Sequence, residues 1–150
     1  MTVITIPQVY GWNILAACAI TFQCSLVGAT YVRAARKKFG IKYPDMGNGR
    51  FSAKLTDDQW TEFNNVQRTH QNYVEGVNIA VVFQLVAGLF FPVPAAWCGL
   101  VYIIGRALYA QFYATGGPDK RMLGAIIFSM ALNAEVVMVI YGLYKMLSNK

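Results

Sequence analysis

Four apolar stretches, each long enough to cross a bilayer, leave this chain few folds to choose from. They fall near residues 9–31, 70–91, 95–114 and 123–146, and a transmembrane helix needs about 20 mostly apolar residues. Composition agrees. Of 150 residues, 56% are hydrophobic and 13% charged, against roughly 25% charged in an ordinary soluble domain. A fold this small cannot bury so much apolar surface in its own core, so lipid must cover the remainder.

The stretches are not uniformly apolar. The second carries His70, Gln71, Asn72, Glu75, Asn78 and Gln84, the third Arg106, and the fourth Asn133 and Glu135. Spans this polar belong to a bundle whose members cover one another, not to isolated anchors. The expectation is an all-α integral membrane protein, a single domain over residues 1–150 built as a four-transmembrane-helix bundle.

Charge orients it. The first connection, residues 32–67, holds Arg33, Arg36, Lys37, Lys38, Lys42, Arg50 and Lys54; the third holds Lys120 and Arg121; the second, Phe91 to Ala96, holds none. The positive-inside rule then makes the first and third connections cytosolic and both termini lumenal or otherwise outside, with Lys145 and Lys150 as weak contrary signals. The net charge of +6 reads as topology and attraction to anionic lipid, and no nucleic-acid partner is expected. The apolar N-terminal run precedes the first basic residue, Arg33, and lacks the basic flank of a secretory signal, so it reads as a retained span.

Several chemistries are excluded. His70 is the only histidine, and Cys18, Cys24 and Cys98 sit in apolar surroundings without metal spacing, so no metal is expected. The cysteines read as small hydrophobes. No Ser-His-Asp set or phosphate-cradling glycine loop is present.

Within the first connection, Tyr43-Pro44-Asp45 and Gly47-Asn48-Gly49 are turn chemistry. Thr56-Asp57-Asp58-Gln59 has the form of a capping box. The helix it starts is predicted to run from Asp57 through the second span to Phe91-Pro92, where proline cannot continue it. It would thus project from the membrane on the cytosolic side.

Two rows of polar residues stand out. Arg68, Asn72 and Glu75 lie at i, i+4 and i+7, which on a helix aligns a cation, an amide and an anion. A zwitterionic ligand with carboxylates and an amine suits them. Arg106, Tyr109 and Tyr113 lie at i, i+3 and i+7 near the cytosolic end of the third span, with Lys120 and Arg121 just beyond. The tyrosines also fit an interfacial aromatic belt. Arg106 also fits a structural charge network, paired with Glu75 or Glu135.

The stretch Phe63-Asn64-Asn65-Val66-Gln67-Arg68-Thr69-His70-Gln71-Asn72-Tyr73-Val74-Glu75 resembles the second-helix motif of the MAPEG family, the membrane-associated proteins in eicosanoid and glutathione metabolism. Ala35-Arg36-Lys37-Lys38 with Tyr43-Pro44, the run Gly105 to Tyr113, and Thr115-Gly116 with Pro118 and Lys120-Arg121 resemble it in the same order. Within the family the likeness is strongest to the branch of type-3 microsomal glutathione S-transferases. The resemblance implies a homotrimer of four-helix subunits with glutathione as co-substrate, bound between neighbours near the cytosolic face. It places Arg68, Asn72, Glu75, Tyr109 and Tyr113 against glutathione from one subunit, and Arg36 and His70 against it from the next. It makes Arg121 the cation that activates the thiol, with Lys120 as rival because the loop here is one residue longer. Two departures from the leukotriene synthase branch, Gly76 in place of a tyrosine and His70 in place of a glutamine, favour the transferase branch.

The implied activity is glutathione transfer to a lipophilic electrophile, or glutathione-dependent reduction of a lipid hydroperoxide, with the second substrate entering laterally from the bilayer. Leukotriene-synthase-like conjugation of an epoxide lipid belongs to the same class. The alternative is a non-catalytic lipid-binding scaffold of the lipoxygenase-activating kind, which would not need Arg121. A small transport subunit would also explain intramembrane charge, but the charged rows cluster at one face without a through-path. The family habit is the endoplasmic reticulum membrane, with the outer mitochondrial membrane as second address, and Ser148-Asn149-Lys150 carries no lumenal retention signal.

Overall fold

The computed structural model describes residues 6–148; Asn149 and Lys150 lie outside them. Among the described residues there is no strand, and four helices are long and apolar enough to cross a membrane. Hydrocarbon offers no partner for a backbone amide, and a helix satisfies them all within its own segment.

The first rod runs from Gln8 to Phe39. It contains α1 (Gly11–Val27), a π-turn over Gly28–Val32 and α2 (Arg33–Phe39). It stops at Gly40, whose φ of 67° puts it in the left-handed region that ends many helices. The second rod is α3 (Asp57–Phe90). Its capping box is formed: Thr56 Oγ1 accepts from Gln59 N at 3.3 Å and Gln59 Oε1 accepts from Thr56 N at 3.1 Å. Asp57 and Asp58 in the first turn complement the helix dipole.

The helices outlast the hydrocarbon. The 34 residues of α3 span about 50 Å, against about 30 Å of acyl core. The excess carries α3 beyond the membrane on the side of the basic connection. Only residues 40–56 of that connection are non-helical, apart from a short 3-10 turn at Ser52–Lys54. The second connection is shorter still than its sequence suggests. It shrinks to Phe91, because Pro92 and Pro94 need no amide partner in the first turn of α4 (Pro92–Lys120). The last rod is α5 (Met122–Ser148).

Small residues set the helix spacing. A Cβ at Gly105 would lie 2.6 Å from Phe128 N, and one at Gly124 would collide with the Tyr109 backbone. These glycines let α4 and α5 pack backbone to backbone, as small residues do in bilayers. At the end away from the basic connection, Asn13 Nδ2 donates to Pro92 O at 2.9 Å, and Gln84 Nε2 donates to Asn13 Oδ1 at 2.8 Å and Ala95 O at 3.1 Å. That network ties α1, α3 and α4 together. Nearer the middle, the Tyr73 hydroxyl lies 2.6 Å from Gln23 Oε1, and Gln23 Nε2 donates to Ile103 O at 2.9 Å.

Candidate functional site

The predicted polar rows lie on α3 and α4, and the packing of these helices decides which members meet. Asn72 is half-buried and turns into the bundle, where its Nδ2 donates to Tyr109 Oη at 2.7 Å. Arg68 and Glu75, on the same helical row, are exposed. Among the described residues, Arg68 Nη1 donates only to its neighbour Gln71 Oε1, at 3.3 Å. Glu75 has no ion pair among the described residues, where the only salt bridge is the exposed Lys38–Glu62 pair. Counting back from Phe90 at 1.5 Å per residue puts Glu75 about 20 Å along a core about 30 Å thick, so lipid alone would be a poor neighbour for it.

Tyr109 is the hub. Its oxygen accepts from Asn72 and, at 3.4 Å, from Arg121 Nη1. Both lone pairs of a phenol are then taken, and its own O–H remains to donate. Tyr113 stands edge-on to Tyr109 at 5.6 Å, and the Arg121 guanidinium lies 4.9 Å from the Tyr113 ring centre. Of the two rival cations, Arg121 is therefore the one joined to the tyrosine row. Lys120 is exposed and packs its stem over Gly116. The difference comes from Gly117, whose φ of 76° and ψ of −169° break the helix and rotate the residues beyond it.

Arg106 departs from the expected charge network. It pairs with neither Glu75 nor Glu135. Its guanidinium sits 4.4 Å from the Tyr73 ring centre and 4.2 Å from that of Phe128, Nε donates to Tyr102 Oη at 3.1 Å, and Nη2 donates to Asn72 O at 3.1 Å. Aromatic faces and a carbonyl replace the anion. Sequence reasoning could have found Tyr102, four residues before Arg106 on the same helix face. Tyr73 and Phe128 come from other helices and leave no local signal. Glu135 is buried on α5, with Oε1 unpartnered among the described residues.

Space at Arg106 depends on Gly76: an added Cβ would stand 2.9 Å from Arg106 Nη2. The glycine read as a departure from the leukotriene synthase pattern thus has a packing role. His70 is half-buried, its ring set over Gly28 of the π-turn so that an added Cβ would meet Nε2 at 2.8 Å.

Arg36 is buried in its own loop. Nη1 donates to Ile41 O at 3.3 Å, Nη2 donates to Asp45 O, and the guanidinium stacks 4.0 Å from the Tyr43 ring centre. The Asp45 carboxylate organises the rest. It accepts from the backbone amides of Gly47, Gly49, Phe51 and Ser52 and from Ser52 Oγ, at 2.8–3.0 Å. Burial alone would raise this carboxyl; the hydrogen bonds from Ser52, Gly47 and Gly49 outweigh it and hold the group well below the usual carboxylate range. The turn residues were legible in sequence, but the role of Asp45 as their common acceptor was not. Among the described residues, no group of three or more His, Cys, Asp or Glu side chains could hold a metal.

Residues 14–141 match the model of the MAPEG family. The chain is also similar to human microsomal glutathione S-transferase 2, with 35% identity over 101 residues, 65% of this chain. It spans 66% of the length of that curated relative, just under two thirds. This relative is of type 2, so the match supports the family without singling out the type-3 branch.

Proposed function

The chain belongs to the MAPEG family, and on that premise we propose that it is a membrane-bound glutathione S-transferase. The observation that carries the reading is the open row of Arg68, Asn72 and Glu75 beside Tyr109 and Arg121. Asn72 is held by Tyr109, whereas Arg68 and Glu75 face outward without an opposite charge. Glutathione supplies what they lack. Its carboxylates suit the forked donors of Arg68, and its ammonium suits Glu75. An outward-facing row at this depth also needs cover from lipid, and a neighbouring subunit would provide it, which favours a homotrimer with glutathione at the subunit junction.

The chemistry falls to Arg121 and Tyr109. A free thiol with a pKa near 8.5 is only a few per cent ionised at neutral pH. Lowering that value by two units requires about 2.7 kcal/mol, at 1.36 kcal/mol per unit. A guanidinium in a partly desolvated site can supply this. The free O–H of Tyr109 adds a donor that the sulfur anion can accept. The thiol proton leaves to solvent, the thiolate forms a carbon–sulfur bond, and the electrophile releases its leaving group or opens its epoxide. With a lipid hydroperoxide, two glutathiones are oxidised to the disulfide while the hydroperoxide is reduced to alcohol and water. Both reactions use the same oriented thiolate.

In this reading Tyr113 supports Arg121 through its ring, and Arg106 fixes Asn72 and thereby the floor of the site. Arg36 holds its own loop, and reaching a neighbour's glutathione would require its contacts to open. His70 stays a candidate contact from the next subunit. The basic connections face the cytosol, as multi-pass insertion into the endoplasmic reticulum membrane would give. A scaffold that merely presented lipid would need neither Arg121 nor the charged row.

The test is a glutathione assay on purified, detergent-solubilised protein with a model electrophile and, separately, a lipid hydroperoxide. Turnover with either supports the enzyme. Glutathione binding without turnover on any electrophile or hydroperoxide would leave the scaffold standing.

A further inference from the structure

The end of the first rod carries a basic cavity in which only Arg36 is also a candidate glutathione contact. Arg33, Arg36, Lys37, Lys42 and Tyr43 line an open hollow of about 420 Å³ where α2 meets the adjoining turn. Arg36 is 6% exposed and forms one wall, fixed by the Ile41 and Asp45 carbonyls, with its Nε–H buried and unpartnered. Arg33, Lys37 and Lys42 are exposed and have no ion pair among the described residues. No carboxylate lines the hollow. Asp45 turns its oxygens to the amides of its own loop, and Glu62 is taken by Lys38.

Depth points to the ligand. The rod of 32 residues is about 48 Å long, so its last turns emerge from a hydrocarbon core about 30 Å thick at the level of the headgroups. Tyr43, 76% exposed beside the cations, is the kind of side chain that settles at that interface. The cytoplasmic leaflet carries the anionic lipids, and basic residues next to a span attract them.

We propose that this cavity binds the phosphate-bearing headgroup of an anionic membrane phospholipid. Arg36 supplies a fixed buried charge, and Arg33, Lys37 and Lys42 close on the headgroup oxygens. The inference rests on the cytosolic orientation proposed above, but not on the glutathione site.

Thermal stability of the detergent-solubilised full chain reads the binding. The probes are dioctanoyl phosphatidylinositol 4-phosphate, dioctanoyl phosphatidylcholine and inorganic phosphate, each titrated separately. The inositol lipid should raise Tm saturably, and the other two should not at the same concentration. The variant Arg33→Gln/Lys37→Gln/Lys42→Gln should bind that lipid at least tenfold more weakly, since each cation near an anionic surface contributes roughly fivefold. Its glutathione affinity should be unchanged. If the triple variant does not fold, Lys42→Gln alone, beyond the helix end, should lose roughly fivefold. Equal responses to the two lipids, an unchanged affinity in the variants, or inorganic phosphate matching the inositol lipid would each overturn the proposal.

Discussion

The two ends of the bundle both bury polar side chains, yet they are built for opposite purposes. Away from the basic connection, Asn13 and Gln84 close on each other and on the carbonyls of Pro92 and Ala95. Gln84 Oε1 has no partner among the described residues, and it is buried against Gly99 where no ligand can reach it. At the other end Arg68 and Glu75 face outward, exposed and without an ion pair among the described residues, beside the buried Tyr109 hydroxyl that Asn72 and Arg121 share. Intramembrane polarity by itself does not mark a site. Accessible, unsatisfied hydrogen-bonding capacity does.

The sharpest way to break this contrast is to remove the charge at the open end. Arg121→Ala should lower turnover on the order of 100-fold at neutral pH, matching a thiol returned by two units to its ordinary range, while glutathione binding persists. The bound thiolate, followed by its ultraviolet absorbance against pH, should titrate higher in this variant. Lys120→Ala is the control and should leave the titration in place. A shift in Lys120→Ala without one in Arg121→Ala would transfer the role to Lys120.

Next in size are the outward charges. Arg68→Ala and Glu75→Ala should each weaken glutathione binding by roughly 1.5–3 kcal/mol, the range for hydrogen bonds to charged groups, with little change in thermal stability. Normal affinity in both would remove the row from the site. The closed end predicts the reverse pattern. Gln84→Leu leaves Asn13 Oδ1 and the Ala95 carbonyl without their donor, and should reduce stability by about 1–3 kcal/mol while sparing glutathione affinity. An affinity change there would show that the two ends are not independent.

The smallest expected effect lies in the loop around Asp45. Its carboxyl sits below its ordinary value when folded, so its contribution is complete above the unfolded pKa of about 3.9 and fades as pH falls through the lower folded value. At neutral pH, Asp45→Asn should speed proteolysis between Gly47 and Lys54, whereas the wild-type loop should resist until pH drops below about 4. In sealed vesicles the protease must reach this loop from the cytosolic side and spare Phe91 to Ala96. Cleavage near Phe91 to Ala96 from that side would reverse the topology.

Much of this architecture is written in local pattern. Run lengths of apolar residues mark four spans, Thr56 and Gln59 mark the start of α3, and Phe91-Pro92 marks its end. Each depends on neighbours within a turn or two, so a linear reading suffices. The Arg68, Asn72, Glu75 row is legible for the same reason, because helical spacing alone aligns it.

Contacts between helices obey a different logic. The aromatic faces around Arg106 come from α3, α4 and α5, and the sequence reading offered Glu75 or Glu135 as partner because charge is visible in one dimension and a ring face from another helix is not. Likewise, no spacing distinguishes Lys120 from Arg121. One residue turns a helix by about 100°, and the break at Gly117 resets the phase before α5 begins. Sequence by itself determined the spans, their caps and which charges share a helix face, since those are set by the period of one helix. Only the tertiary structure decided which charges are closed off, which stay open, and which cation meets Tyr109, because the relative rotation and approach of packed helices are settled by side chains far apart in the chain.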